Sequence, residues 1–567
     1  MPKFFKKFSI LKNLSAILAI NSPATITTSC TIRIIIDKDT VIKFFQTTDI
    51  HGYLMDTSSN DPNTFQYRLA FIANQINKER ESLFADDVLL IDSGDIYQGQ
   101  IVSNFTEGAA LRAAIDLMKY DAVALGNHEF DWGLDTNCTK LGYVQGYDVA
   151  NKGKYKNDNP KIPILAANLY YENDHTERVE YTKDYVTVNK ANKKITLIGY
   201  IPNYSADIAA DMVAPYYIDD DLETFNERII QINNLEQPDM TIVIAHENPI
   251  SIANSLNHDY VQLVAGGHNH GFKNGVAEQS GIPYIQGGYY CQGYASAYFK
   301  FRHGDNKLSI ELPKCVEITS DEIKPKLYDT EENRKKNLDK NILELSHFAW
   351  DSIADKMEEK LGYIETSLIK NIKISENGTA TSAGNWVTSL FKEATGVDVA
   401  FYNVGGIRTS FVISEETGKK VITVGDIYTM LPFNNQIYIY EVNGKQLKQQ
   451  LLNGFINKNY SDQLTGLKFK YKESSSGSIE ITEITLDNNK VVDMDDEDTI
   501  YKICLTDYSA TLEGSIVNEF KLEPTNNKQT ALIEGEAVIN MLKEHRKSID
   551  PEKFLIDVDL SERGIKI

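Results

Sequence analysis

Aspartate, asparagine and histidine recur along this chain in small clusters, each directly after a short apolar run. Residues 41–46 lead into Thr47-Thr48-Asp49-Ile50-His51, and 88–91 into Asp92-Ser93-Gly94-Asp95. Residues 122–125 lead into Gly126-Asn127-His128-Glu129-Phe130-Asp131, 241–245 into His246, and 261–264 into Ala265-Gly266-Gly267-His268-Asn269-His270. Asp49 and His51 are two apart at a strand end, a spacing that puts both side chains on one face, and His268 and His270 repeat it. Asp95 supplies a carboxylate that can bridge two cations, Asn127 an amide oxygen and His246 another imidazole. Mixed nitrogen and oxygen donors of this kind suit zinc, manganese or iron better than calcium. Two such ions, about 3.5–4 Å apart, activate a water and hold a phosphoryl group for in-line attack. A single Asp-x-His on a strand is more often structural than a ligand pair. Five clusters that together hold five of the chain's 10 histidines are hard to obtain by chance.

The elements that must position these groups follow from the spacing. The apolar runs read as strands, and 67–80 and 108–119 read as helices between them. That βαβ rhythm predicts a layered α/β domain up to about Pro313. In such sheets ligands bind beyond the carboxyl ends of the strands, where all five clusters fall. His128 follows Asn127 directly, so its ring can face a substrate rather than the ions. A protonated imidazole there stabilises charge building on phosphoryl oxygens. Asp131 is placed to orient it.

These blocks, in this order over about 220 residues, resemble the calcineurin-like metallophosphoesterases. The longer form from Gly126 to Asp131 resembles the 5'-nucleotidase branch, which also includes UDP-sugar hydrolases and 2',3'-cyclic-nucleotide phosphodiesterases. The resemblance implies a four-layer α/β sandwich over 41–325 and a smaller α+β domain over 362–567, joined by a long helix. It implies one ion held by Asp49, His51, Asp95 and His270, and another held by Asp95, Asn127, His246 and His268. It also pairs His128 with Asp131. Some nucleotidases of this branch carry Gln where His270 stands, which leaves the substrate subclass open.

Residues 331–361 are charged and lack Pro and Gly, with Ile342, Leu345, Phe348, Ile353, Met357 and Leu361 at near-helical spacing. They are expected to form one linker helix. The remaining chain is marked by Phe401-Tyr402-Asn403-Val404-Gly405-Gly406-Ile407-Arg408. Paired Gly permits close backbone approach, and Arg408 suits bidentate contact with phosphate. With Leu431-Pro432-Phe433 and Thr506-Asp507-Tyr508 it resembles the 5'-nucleotidase C-terminal domain, in which Phe433 and Tyr508 would sandwich a base and Asn403 and Arg408 would contact the nucleotide. The pattern departs from that family in three places. Ala510-Thr511-Leu512-Glu513-Gly514 replaces a Gly-Gly-Asp-Gly, so the ribose-binding Asp is missing or replaced, with Glu513 as a candidate. No Arg lies between Gly362 and Ile407, ahead of or around Gly384-Asn385, and the Asp expected four residues after that Asn is Ser389.

Length and charge bound the rest. At 567 residues the chain has room for two to four domains. A net charge of −22 argues against nucleic acid as a partner, so an anionic substrate must be met locally by metal or Arg. Lys3, Lys6 and Lys7 precede a mostly apolar stretch over 10–20 that is too short to span a bilayer, and small residues follow up to Cys30. This resembles a bacterial lipoprotein signal over 1–30 with Cys30 lipidated, although Thr27 stands at the usual Leu position. Cys138, Cys291, Cys315 and Cys504 sit in no CxxC pattern, which points away from disulfide dependence. The expected protein is an exported, membrane-anchored phosphoesterase with two divalent ions, zinc or manganese, that dephosphorylates nucleoside 5'-monophosphates for salvage. The alternatives are a 2',3'-cyclic-nucleotide phosphodiesterase, a UDP-sugar hydrolase, or a surface nucleotide-binding lipoprotein with vestigial catalysis.

Overall fold

In the computed structural model, the apolar runs that precede the clusters become the inner strands of two six-stranded sheets. The structure describes residues 38–56, 65–82, 84–106, 108–131, 133–134, 145–148, 154–157, 162–180, 182–203, 213–318, 330–376, 378–433, 435–456, 459–511, 514–525 and 532–567. Cys30, Cys138, Glu513 and the rest of the 1–30 segment lie outside the described residues.

One sheet runs in the order Leu308–Glu317, Gly293–Phe301, Thr40–Thr47, Asp87–Asp92, Ala122–Ala124, Ile164–Leu165. The other runs Phe272–Val276, Pro283–Gly287, Leu263–Ala265, Met240–Ala245, Lys193–Tyr200, Tyr185–Lys190. In the first sheet Thr40–Thr47, Asp87–Asp92, Ala122–Ala124 and Ile164–Leu165 are parallel and the other two strands pair antiparallel; in the second the four central strands are parallel and the two outer ones antiparallel. Strands buried on both faces read as near-continuous apolar runs, as Met240–Ala245 does with all six residues buried. The sheets face each other across Ile42, Phe44, Leu89, Ile91, Leu197, Ile242, Ile244 and Phe299. Helices Arg68–Arg80 and Ala109–Met118 cover the outer face of the first sheet. Leu222–Glu236 and Pro249–Ser255 cover the outer face of the second. This is a four-layer α/β/β/α sandwich.

The stretch read as one helix over 331–361 is two helices, Glu331–Asn337 and Lys340–Met357, followed by a strand, Lys360–Ile364. Leu338 and Asp339 leave the helical conformation, with ψ of 142° and 129°. Asp339 then caps the second helix by accepting the amides of Asn341 and Ile342 at 2.9 and 3.0 Å. The break also docks the segment, because Asp339 N–H donates to Ala70 O at 2.9 Å and Asn77 Nδ2 to Asp339 Oδ2 at 2.9 Å. The helix Lys340–Met357 buries Ile342, Leu345, Ala349, Ile353 and Met357 in one core that continues from Leu69 and Ile115 to Trp386, Phe391 and Ile427. Truncating one of its fully buried residues, such as Leu345, to Ala costs about 2–5 kcal/mol.

The C-terminal part centres on a five-stranded sheet, ordered Asp462–Thr465, Val399–Asn403, Ile500–Thr506, Gln436–Asn443, Leu532–Ile533. Helices Ser382–Thr395 and Glu534–Arg546 pack on it. Val399–Asn403 and Ile500–Thr506 are parallel, and Gln436–Asn443 is antiparallel to the latter with Ile437 opposite Thr506. Asn403, Thr506 and Gln436 therefore end or begin their strands at one edge of this sheet.

Candidate metal centre and substrate cleft

All five clusters sit beyond the carboxyl ends of parallel strands, and the loops bring them to one place. The spacing rule that places Asp49 and His51 on one face of a strand is not what aligns them, because both lie past the end of Thr40–Thr47. Asp49, His51, Asp95, His268 and His270 instead adopt left-handed backbone, with φ of 51°, 47°, 57°, 67° and 48°. Each such non-glycine residue stores roughly 1–3 kcal/mol, which the surrounding packing must hold. Glycines make room for the loops to meet. Gly94 has φ +99°, and a Cβ there would lie 2.6 Å from Gly126 N and 2.9 Å from His246 Nδ1.

Three interlocking groups result: Asp49, His51 and His270; His51, Asp95 and His128; and Asp95, His246 and His268. His51 Nε2 lies 3.1 Å from His270 Nε2 and 3.6 Å from Asp95 Oδ2. His270 Nε2 is 3.6 Å from Asp49 Oδ1, His246 Nε2 is 3.0 Å from Asp95 Oδ2, and His268 Nδ1 is 3.2 Å from Asn127 Oδ1. Asp95 thus faces histidines of both halves.

The donor set fits divalent cations. His51 Nδ1 donates to Gln98 O at 3.1 Å and His246 Nδ1 to Ser93 O at 2.8 Å, so each Nε2 points inward. Burial alone would lower His246, but Asp95 raises it to about 10, and a divalent ion would displace the proton held there. Nitrogen lone pairs and carboxylate oxygens at 3.0–3.6 Å repel unless a cation or proton lies among them. Burial pushes His51 well below its ordinary range, and it lowers His268 to about 3 and His270 to about 4, which keeps these imidazoles neutral and able to ligate. Burial also pushes Asp95 up, but His246, His128 and His51 outweigh it and hold the carboxylate ionised.

Three residues outside the ligand set shape this centre. Glu129 is fully buried, and its carboxylate accepts the amides of Gly126, Asp95 and Ile96 at 2.7, 2.9 and 2.8 Å, tying two ligand loops together. Tyr290, itself left-handed at φ 50°, donates its amide to Asp49 O at 2.7 Å and sets its ring edge-on to His51 and His270. Tyr289 stacks on His270 at 4.9 Å and 6°. Sequence reading assigned none of them a role. The signal was present for the tyrosines, since Pro283–Gly287 is another strand that ends in glycine and a dense polar cluster.

His128 Nδ1 lies 2.7 Å from Asp131 Oδ2, and its backbone amide donates to Asp95 Oδ1 at 2.9 Å. Burial alone would lower its pKa, but Asp131 and Asp95 raise it to about 10, so the ring is cationic. The ring also stands edge-on to His51 at 5.1 Å, so it borders the ligand set as well as the open side.

A cleft of about 890 Å³ opens from this centre toward the C-terminal domain. His270, Tyr289, Tyr290, Tyr53, Arg68 and Asp56 line one wall, and Asn403, Arg408, Phe433 and Tyr508 the other. Phe433 and Tyr508 are 44% and 51% exposed, which leaves ring surface open for stacking. Arg408 stands over the Phe433 ring at 5.4 Å, and its carbonyl accepts Lys370 Nζ at 2.7 Å. Lys370 thus brings a cation beside Arg408 in the stretch that lacks arginine. Asn385 does not reach the cleft lining; its Nδ2 donates to the carbonyls of Asp559 and Ser561. The Ser389 hydroxyl donates to Trp386 O.

Fold and site together define a two-domain metallophosphoesterase, a phosphoric ester hydrolase whose N-terminal fold implies divalent metal ions. A family model described as calcineurin-like phosphoesterase matches residues 42–272, and one described as the 5'-nucleotidase C-terminal domain matches 360–519. The chain thus carries a calcineurin-like phosphoesterase domain followed by a 5'-nucleotidase C-terminal domain. It is 23% identical over 537 residues to the trifunctional nucleotide phosphoesterase protein YfkN of Bacillus subtilis, covering 89% of this chain but 34% of that one, so the chain spans about a third of that relative. It is 23% identical over 454 residues to a 5'-nucleotidase of Vibrio parahaemolyticus, covering 73% and 75% of the two chains. Among solved structures it is similar to a putative 5'-nucleotidase from Staphylococcus aureus, with a TM-score of 0.63 at 16% identity over 93% of this chain and 100% of that one.

Proposed function

We propose that this protein hydrolyses nucleoside 5'-monophosphates to nucleoside and phosphate, outside the cell, for salvage. The observation that carries the reading is the cleft in which His270 of the metal centre shares walls with Asn403, Arg408, Phe433 and Tyr508. A substrate with a phosphate at one end and a flat base at the other spans those two walls.

Asp49, His51, Asp95 and His270 would hold one divalent ion, and Asp95, Asn127, His246 and His268 the other, with zinc or manganese the metals that suit the donors. When bound, two such ions supply charge stabilisation and an activated water at phosphorus. Asp131 fixes the His128 ring through Nδ1, so His128 Nε2–H is left to donate to a phosphoryl oxygen as charge builds there. Phe433 and Tyr508 stack the base, and Asn403 and Arg408 hold the nucleotide's polar groups. Tyr289 and Tyr290 line the cleft beside His270.

The residue pattern over 1–30 supports export with a lipid anchor at Cys30, and among the relatives is one named a cell wall protein, from Listeria monocytogenes. Among the described residues no helix is long and apolar enough to cross a membrane.

A second reading is favoured by the size of the cleft, about 890 Å³, whose lining also includes Arg68 and Asp56. That room suits a sugar nucleotide or a cyclic nucleotide. Phosphate release after chelation and re-addition of single metals separates the readings, with AMP, a 2',3'-cyclic nucleotide, a UDP-sugar, an aryl phosphate and an aryl phosphodiester as substrates. AMP turned over well above the aryl compounds is the expected result. Preference for the sugar or cyclic nucleotide would replace it with the second reading. Nucleotide binding without turnover by any metal-loaded form would leave a binding protein.

A further inference from the structure

We propose that Arg68 and Tyr290 form a positioning strap for one of the two ions, the one that Asp49, His51 and His270 would hold, and that the other ion does not depend on it. The inference rests on the two-ion reading and assigns a separate support to one of its sites.

The turn that carries Tyr290 needs outside help to keep its shape. Tyr290 and Cys291 both adopt left-handed backbone, at φ 50° and 51°, and neither is glycine. Two such residues in succession persist only where the surroundings hold them. Arg68 Nη1 donates to the Tyr290 carbonyl at 3.2 Å, and the Tyr290 amide donates to Asp49 O at 2.7 Å. The peptide groups on both sides of Tyr290 are thus tied, one to Arg68 and one to a ligand loop. Arg68 is itself fixed. It is the first residue of the helix Arg68–Arg80 and only 7% exposed. Its Nη2 donates to Asp56 Oδ2 at 2.8 Å, and Nε and Nη2 donate to Gln66 Oε1 at 3.2 and 3.1 Å. Asp56 and Gln66 also exchange backbone amide bonds at 2.9 and 3.3 Å, which joins the end of the Asp49 loop to the start of the helix.

Arg68 lines the cleft, yet every nitrogen of its guanidinium donates to a protein acceptor. An arginine that grips phosphate presents its planar fork to the ligand; the fork of Arg68 is spent on the turn, on Asp56 and on Gln66. Tyr290 passes the constraint to one ligand set. Its ring stands edge-on to His51 at 5.3 Å and to His270 at 5.0 Å, and it stacks on Tyr53, two residues beyond His51, at 4.6 Å and 18°. Its amide bond to Asp49 O reaches the third member of the set. The other set draws on other supports. His246 Nδ1 donates to Ser93 O at 2.8 Å, and the Asp95 amide donates to Glu129 at 2.9 Å. Releasing the strap therefore loosens Asp49, His51 and His270 and leaves the second set held.

The test is equilibrium dialysis of manganese(II) against chelator-stripped full-length protein, with electron paramagnetic resonance of the bound ions, in wild type, Arg68→Ala and Tyr290→Gly. Glycine suits left-handed backbone, so Tyr290→Gly deletes the ring and keeps the turn. Wild type is expected to bind two equivalents and to show the spectrum of an interacting pair. Losing a hydrogen bond from a charged donor weakens binding roughly 10- to 100-fold. Each variant is expected to lose that factor on one equivalent only, to keep the other within about threefold of wild type, and to show an isolated ion at one equivalent. Millimolar ethylguanidinium, which reaches the vacated place from the cleft, should restore the weakened equivalent in Arg68→Ala and leave wild type unchanged. A general loss of fold would weaken both equivalents and would not be rescued in this way. Equal weakening of both equivalents, no weakening of either, or no rescue would overturn the proposal. So would a raised KM for AMP with metal binding unchanged, which would make Arg68 a substrate contact. The wild-type isotherm judges the two-ion reading separately: a single equivalent there removes that reading, whereas two equivalents that the variants leave intact remove only this inference.

Discussion

Replacing Glu129 with Gln removes one acceptor from a buried junction that ties the Asp95 and Asn127 loops together. The carboxylate takes three amides, with Oε2 shared by Asp95 and Gly126 and Oε1 facing Ile96 at 2.8 Å. A glutamine that keeps its oxygen at the shared position turns its NH2 toward the Ile96 N–H, donor against donor. One bond to a charged acceptor is then lost, about 1.5–3 kcal/mol, and the two that remain weaken to neutral strength, so the total is about 3 kcal/mol. The residues freed to move are Asp95 and the neighbours of Asn127, so the loss is expected mainly as weaker metal binding. At about 1.4 kcal/mol per tenfold, that is about 100-fold in affinity. Burial pushes Glu129 up to about 7, so the measurement belongs at pH 8, where wild type carries the charge. Competition against a chromogenic chelator reads the dissociation constants directly, and thermal melts of the metal-free forms report any global loss. Metal affinity within about threefold of wild type would refute the reasoning, because this magnitude assigns Glu129 a direct hold on the ligand loops.

The remaining predictions are shorter. His128→Ala is expected to lower kcat about 10²–10³-fold while metal content, read by atomic spectrometry, stays at the wild-type level; unchanged turnover would remove His128 from the chemistry. Phe433→Ala and Tyr508→Ala should each lower the ratio of AMP to aryl-phosphate efficiency about 10- to 100-fold, the worth of one stacked base, as steady-state kinetics on both substrates would show. Glu534 is raised from its ordinary 4.5 to about 7 by burial, against the hydrogen bonds from Tyr402 and Asn435. Its native form therefore holds a proton that the unfolded chain releases, so the stability it contributes is present below pH 4.5 and is lost as pH rises through 7. Glu534→Gln lacks that loss, and its stability relative to wild type should rise between pH 5 and 8, by at most about 3 kcal/mol. Denaturant melts at the two pH values check it, and a pH-independent difference would contradict it.

Much of the candidate metal centre was legible because the residues that the structure groups there follow apolar strands at fixed offsets. The convergence of five loops at one edge follows from parallel strands alone, whatever the loops do locally. The local reason was not legible. Alternation along a strand suggested why Asp49 and His51 share a face, whereas left-handed backbone at both residues aligns them, and no pattern of residue types announces that for Asp or His. The linker read as one helix because apolar spacing survives the interruption at Leu338 and Asp339. The capping aspartate was in view but has the same composition as any charged helix position. Glu129 stands inside the Gly126–Asp131 motif, yet its work is to collect amides from two loops, which only the three-dimensional meeting of those loops reveals. In the C-terminal domain the missing Gly-Gly-Asp-Gly was plain from the sequence. The meeting of Asn435 and Asp507 at one sheet edge became visible through strand register, which pairs residues about 70 positions apart.

The measurement that tests the central claim most directly is phosphate release from AMP as divalent metal is titrated into chelator-stripped protein. Activity that appears only with metal and reaches its plateau at two equivalents per chain is the result predicted from the shared Asp95 and the ligand sets on either side of it. Full activity in stripped protein, or a plateau at one equivalent, would contradict a two-ion centre built on those residues.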